Sequence, residues 1–234
     1  MLQYHDPYSL HVYTEHGRLY RIGDRHYPGV GTIQDATNPA ETKKWEEWRK
    51  IPENAAKSKA ACDRGTLFHQ AMEYELLGAL WMEFDVTPTT FAAVDDYVKS
   101  VESVLPKITN PQLVESAIWH NVLAYAGTVD LVAEYERELS IIDWKTSERP
   151  KIYGIGDRYP LQLAAYCGAI NRMYGTRIKQ GVIIAANAET ECQVFKFSLG
   201  KFWKMWIEKV KQYWQQKTPD SFAEQVLEGL RGEY

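Results

Sequence analysis

The sequence predicts an α/β fold, a mixed central sheet flanked by helices with an N-terminal helical cap. Two observations carry this. Three helical stretches precede every core strand, and strand-like runs then follow in quick succession: Val114 to Val122, Tyr125 to Tyr135 and Glu138 to Lys145 as an antiparallel meander. A helix holding Gln162 comes next and crosses over to the apolar run Gly181 to Ala186, which reads as a buried strand. Cys192 to Phe197 completes a hairpin with it.

The elements take their places in order. Residues 1 to 34 alternate Tyr and Val around a turn at Gly23-Asp24, the pattern of a small hairpin or extended entry segment. Asn38-Pro39 opens a charged helix that runs to about Lys50 and is ended by Pro52. A second helix runs from about Thr66 to Leu80, and a third begins near Thr90, with Val94, Tyr97, Val98, Val101 and Leu105 at helical spacing, stopping at Pro106. The last long helix sets Trp203, Trp206, Ile207, Val210 and Trp214 on one stripe, a core-packing face. With 45% hydrophobic residues, the 234-residue chain is expected to form one domain: residues 1–64 as hairpin and cap, 65–216 as core, 217–234 as tail.

Composition sets limits on function. No run approaches the roughly 18 apolar residues of a membrane span, and the polar first thirty residues do not read as a signal or transit peptide. Cys62, Cys167 and Cys192 are isolated and odd in number, which points to a reducing, cytoplasmic setting. The net charge of −4 places any basic surface in local patches. Candidates are the stretch from Lys43 through Arg49 and Lys57 to Arg64, and Arg149, Lys151 and Arg158 after the meander.

The chemistry concentrates at Asp143-Trp144-Lys145. In a strand, Asp143 and Lys145 share a face and Trp144 takes the other. If the runs on either side of Glu134 to Glu138 pair as a hairpin, Asp130 comes beside Asp143, giving two carboxylates and a lysine on one surface. Those are the parts of a hard-cation site for phosphodiester cleavage, taking Mg²⁺ or Mn²⁺. Gln162 and Tyr166 share a helical face downstream, and His69 shares one with Met72 and Leu76 upstream.

A helix histidine (His69), a G-x-x-D (Gly127 to Asp130), a D-x-K (Asp143 to Lys145) and a Q-x-x-x-Y (Gln162 to Tyr166) occur in that order. The chain thereby resembles the RecB-like exonuclease branch of the PD-(D/E)xK nuclease superfamily, which has a restriction-endonuclease-like sheet. Tyr27 to Ile33, Trp48-Arg49-Lys50 and Arg64-Gly65-Thr66 are most similar to the mitochondrial genome maintenance exonuclease group and its phage relatives. The resemblance implies that His69, Asp130, Asp143 and the Trp144 carbonyl hold the metal. It implies that Lys145 orients the attacking hydroxide and offsets charge on the phosphate, with Gln162 and Tyr166 supporting. Tyr166 serves either that role or core filling. Three scattered cysteines cannot hold the four-cysteine iron-sulfur cluster of some RecB-like nucleases, so none is expected.

Trp45 and Trp48 either pack on the core or stack bases in a single-stranded channel. Arg64, Arg49 and Lys151 are the expected phosphate contacts, and Arg64 could equally be solvated. Glu73 is not expected to ligate metal, and Glu115 is left out because its place depends on strand register. The reading is a metal-dependent exonuclease on DNA, single strands or free ends, in replication, recombination or degradation, within a bacterial or phage-infected cell. A structure- or sequence-directed endonuclease, or an inactive nucleic-acid-binding module, are the alternatives. A compact chain without helicase motifs cannot unwind long duplexes, so replication or recombination proteins are the expected partners.

Overall fold

The molecule is described from a computed structural model that covers all residues except 15–16, 78–90, 152–153, 218–220 and 231–234. Three short strands, β1 (His11–Thr14), β2 (Gly17–Ile22) and β3 (Arg25–Pro28), form a small antiparallel sheet. The turn between β2 and β3 falls at Gly23, whose φ of +59° is left-handed and costs a residue without Cβ little. The segment ahead of β1 lies along the main sheet, where the Ala117 amide donates to the His5 carbonyl at 2.8 Å.

Helices α1 (Val30–Ala36), α2 (Pro39–Arg49) and α3 (Pro52–Leu77) follow, then a 3₁₀ turn (Ala92–Val94) and α4 (Asp95–Val101). Pro52 has a second role that the sequence reading missed. It closes the space after α2, but it is also the first residue of α3, where its missing N–H costs nothing and its fixed φ suits a helix start. The helix carrying His69 therefore begins fourteen residues before Thr66. Its first half has no apolar stripe to announce it and is largely exposed. The expected ends at Leu80 and Thr90 lie outside the described residues.

The main sheet has five strands: β4 (Ile108–His120), β5 (Tyr125–Tyr135), β6 (Glu138–Ser147), β7 (Gln180–Asn187) and β8 (Gln193–Ser198), in that spatial order. All neighbours are antiparallel except β6 and β7, which α5 (Arg158–Tyr174) connects as a parallel crossover. Helices α6 (Gly200–Gln215) and α7 (Ser221–Gly229) complete the chain. The chain is thus α/β with a mixed sheet between helices, as the sequence predicts.

Both faces of the sheet are covered, and β6 shows why its run is apolar without alternation. Ile141 packs into the core under α5 and α6, with Val132, Ile183 and Trp206, while Ile142 packs into the one under α3 and α4, with Phe68, Met72 and Val101. Trp144 continues the second core and meets Phe68 edge to face at 6.3 Å. Asp143 and Lys145 consequently belong to the α5 face. Of the predicted stripe on α6, Trp206, Ile207, Val210 and Trp214 are buried, and Trp203 is partly so.

Candidate active site

Strand register builds the site. Leu131 pairs with Ile142, and the next step of that ladder sets Asp130 opposite Asp143. On the other side Val114 pairs with Leu131 and Ser116 with Val129, so Glu115 falls opposite Asp130. Three carboxylates therefore stand in one row across β4, β5 and β6. Glu115 is in the left-handed region (φ +43°), rare for a residue with a Cβ. Its carboxylate meets His69 of α3: Glu115 Oε1 is 2.9 Å from His69 Nδ1, and Asp130 Oδ2 is 3.7 Å away. His69 Nε2 lies 3.2 Å from the Trp144 carbonyl. The ligand atoms of His69, Glu115 and Asp130 all fall within 4.8 Å of one another.

Burial raises the energy of every charge here, and the neighbours decide the outcome. Burial pulls the His69 imidazolium down, but Asp130 and Glu115 outweigh it and push the pKa up to about 9. Both ring nitrogens then donate, one to Glu115 and one to the Trp144 carbonyl. Asp130 is raised, chiefly by burial and then by Glu115 against the pull of His69; the Trp144 amide donates to its Oδ2 at 2.9 Å. Asp143 is raised by burial to about 6, with Lys145 working against the shift. Lys145 resists burial because Asp143 and Asp130 hold its proton, so it stays an ammonium.

Lys145 Nζ sits 2.6 Å from Asp143 Oδ2 and supplies that oxygen's counter-charge, while Asp143 Oδ1 is buried with no hydrogen-bond partner among the described residues. A buried carboxylate oxygen without a partner is the exception in folded proteins, and Oδ1 is open to a further cation. The donor set fits one: carboxylate oxygens suit Mg²⁺ or Mn²⁺, and an imidazole tilts the site toward Mn²⁺.

A cavity of about 1310 Å³ opens at the Glu115 end of this row; Asp130 and Asp143 are buried and do not line it. His69, Glu115 and Lys145 form its floor, and Trp45, Trp48, Arg64 and Lys151 stand in its walls. Trp45 and Trp48 are 53% and 37% exposed and meet edge to face at 5.4 Å, so they do not pack on the core. The Arg64 guanidinium is mostly covered, 3.3 Å from Glu148 and over the Tyr97 ring at 5.4 Å. Arg49 is not brought to this cavity. It lines a neighbouring one, with Nε 3.4 Å from the Trp45 carbonyl. Gln162 and Tyr166 also stay out of the lining: the Gln162 amide donates to the Tyr166 hydroxyl at 2.8 Å, and Tyr166 is buried behind the carboxylates. Its ring lies against Gly127, where an added Cβ would come within 2.4 Å of Cε1. The glycine of G-x-x-D thus makes room for the tyrosine of Q-x-x-x-Y.

Glu115 is the residue that sequence reasoning left out, and the signal for it was present. His120 pairs with Tyr125 across a short turn, and counting back from that pair lands Glu115 on Asp130. Glu73, one turn after His69, lines the cavity, and burial together with Glu115 raises its carboxyl to about 7.

Residues 44–231 match the PD-(D/E)XK nuclease superfamily model. The chain is similar to mitochondrial genome maintenance exonuclease 1 of Xenopus tropicalis, 42% identical over 130 residues (52% of this chain, 37% of that protein). It is also similar to the mouse protein of that name, 34% identical over 158 residues (64% and 45%), and to the human one, 35% over 129 residues (52% and 37%). The chain spans less than half the length of these relatives. Among solved structures it resembles a putative exonuclease from Eubacterium rectale, with a TM-score of 0.44 and 14% identity over 74% of this chain and 68% of that one. With its family match running over most of its length, the chain belongs to the PD-(D/E)XK nuclease superfamily.

Proposed function

We propose that this chain is a Mg²⁺- or Mn²⁺-dependent DNA exonuclease that takes single strands by a free end. One observation carries the reading: the ligand atoms of His69, Glu115 and Asp130 lie within 4.8 Å of one another, with Asp143 paired to a charged lysine beside them, at a cavity walled by exposed tryptophans and basic side chains. His69, Glu115, Asp130 and Asp143 would hold the cation, with the Trp144 carbonyl beside them. When bound, the cation activates water and neutralises the scissile phosphate.

The chain's own residues do the rest. Lys145, held between Asp143 at 2.6 Å and the Tyr159 ring at 5.2 Å, offers a fixed positive charge where negative charge grows on the phosphate. Its proton is held too firmly for it to act as the base. Lys57, Arg149 and Lys151 face the same cavity and suit the phosphodiester backbone. Trp45 and Trp48 offer stacking faces for unpaired bases. Because α2 and the first half of α3 supply the tryptophan-bearing wall, the passage favours a threaded strand over a laid-in duplex.

The test is incubation with Mg²⁺ and equal amounts of linear single-stranded, circular single-stranded and blunt duplex DNA. Rapid loss of the linear single strand alone, with short products from a labelled end, is the expected result. Efficient cutting of the closed circle makes the chain an endonuclease instead, and binding without cutting makes it a nucleic-acid-binding module.

A further inference from the structure

The cavity at the Glu115 end of the carboxylate row is not isolated. A second cavity of about 780 Å³ adjoins it, and Trp45, Ser58 and Tyr159 line both. Those three side chains form a divider from α2, α3 and the start of α5. Tyr159 is also the ring that lies over the Lys145 ammonium, so the divider stands directly beside the charge offered to the scissile phosphate.

The two chambers differ in charge. Five cations line the first: Arg64 is paired with Glu148 at 3.3 Å and Lys145 with Asp143 at 2.6 Å, which leaves Lys57, Arg149 and Lys151 for a phosphate, and its other two acids, Glu73 and Glu115, stand with His69. The second is balanced: Arg49, Arg158 and Lys209 against Asp35, Glu41 and Asp157, with Arg158 neutralised by Asp35 at 2.8 Å. Backbone grip scales with unneutralised cations. A strand is therefore held in the first chamber and only weakly in the second. Its volume of about 780 Å³ is on the scale of a small-ligand pocket.

From this we propose that the second cavity is the product chamber: the piece cut from the strand passes between Trp45, Ser58 and Tyr159 and is released there as a short oligonucleotide. The inference rests on the nuclease reading above and assigns to Met205 of α6 and Ile155, which line the second cavity and not the first, a part in release and none in cleavage.

Rapid-quench kinetics on an end-labelled linear single strand tests it, with wild type, Ile155→Trp, Met205→Trp and Met205→Leu compared after thermal melts have shown that each is folded. Filling the chamber should leave the first cleavage at the wild-type rate and slow later turnovers by about tenfold or more, as release becomes limiting. Met205→Leu should behave like wild type. Ile155→Trp keeps the test intact if Met205→Trp does not fold. Unchanged turnover in both tryptophan variants, or a first cleavage slowed as much as the steady state, overturns the product chamber while wild-type cutting leaves the nuclease reading standing. A wild type that cuts no DNA with either cation removes that reading and the chamber with it.

Discussion

Replacing Gly127 by alanine should show how tightly the two downstream motifs are tied. The added Cβ would lie 2.4 Å from Tyr166 Cε1, and ordinary contact begins at 3.4 Å, so the ring or the strand must give by about 1 Å. Tyr166 is 4% exposed and its hydroxyl is held by Gln162, so the ring has no free direction. Overpacking of this kind costs about 1–3 kcal/mol. For a chain of this size that is a melting temperature lower by roughly 2–12 °C. The backbone would work the other way, because Gly127 is not in the left-handed region and alanine orders a strand better by about 0.5–1 kcal/mol. The sign should therefore reverse once the ring is gone: in a Tyr166→Leu background, Gly127→Ala should be neutral or stabilising. Urea unfolding of the four members of the cycle measures this. Equal costs in both backgrounds, or a stabilised single variant, would refute the steric argument.

Asp130→Asn and Asp143→Asn should each abolish cleavage while DNA binding in Ca²⁺ survives, measured by gel shift and by label release; full activity in either removes it from the site. His69→Ala should lose less and recover in part at high Mn²⁺, and wild-type behaviour at limiting metal would leave it a packing residue. Lys145→Ala should cut the rate on the order of a hundredfold yet melt near wild type in Mn²⁺, where the cation replaces the charge beside Asp143; a collapsed melt in Mn²⁺ makes the lysine structural. Metal affinity should rise with pH, because His69 keeps its proton below about 9 and a cation needs the neutral ring, so binding weakens as pH falls below that value. Titration calorimetry in buffers of different ionisation heat should show a proton released near neutral pH, and heats independent of the buffer would contradict it.

Much of this was legible in the sequence because it rests on periods. Ile141-Ile142-Asp143-Trp144-Lys145 assigns its own faces once it is a strand, and the hairpin around Glu136 places Asp130 against Asp143 by counting. What was not legible depended on solvent-facing helix and on close approaches between residues distant in sequence. Nothing in the residues before Thr66 marks a buried face, so α3 was started too late. Gln162 and Tyr166 share a helix face as expected, but only the approach to Gly127 shows that this face turns into the core behind the carboxylates.

Glu115 carries a consequence for how the protein folds. A left-handed backbone at a residue with a Cβ costs about 1–2 kcal/mol, and its carboxylate adds to the crowding that raises Asp130 and Glu73. The chain without metal is thus frustrated at the spot where it has most to offer a cation, and under the proposed function folding and loading would be one linked equilibrium. On the proposed metal reading, Mn²⁺ would act as a folding ligand whose stabilisation grows with its free concentration, whereas Glu115→Gly would relax the strand, raise the stability of the metal-free protein and reduce what the metal adds.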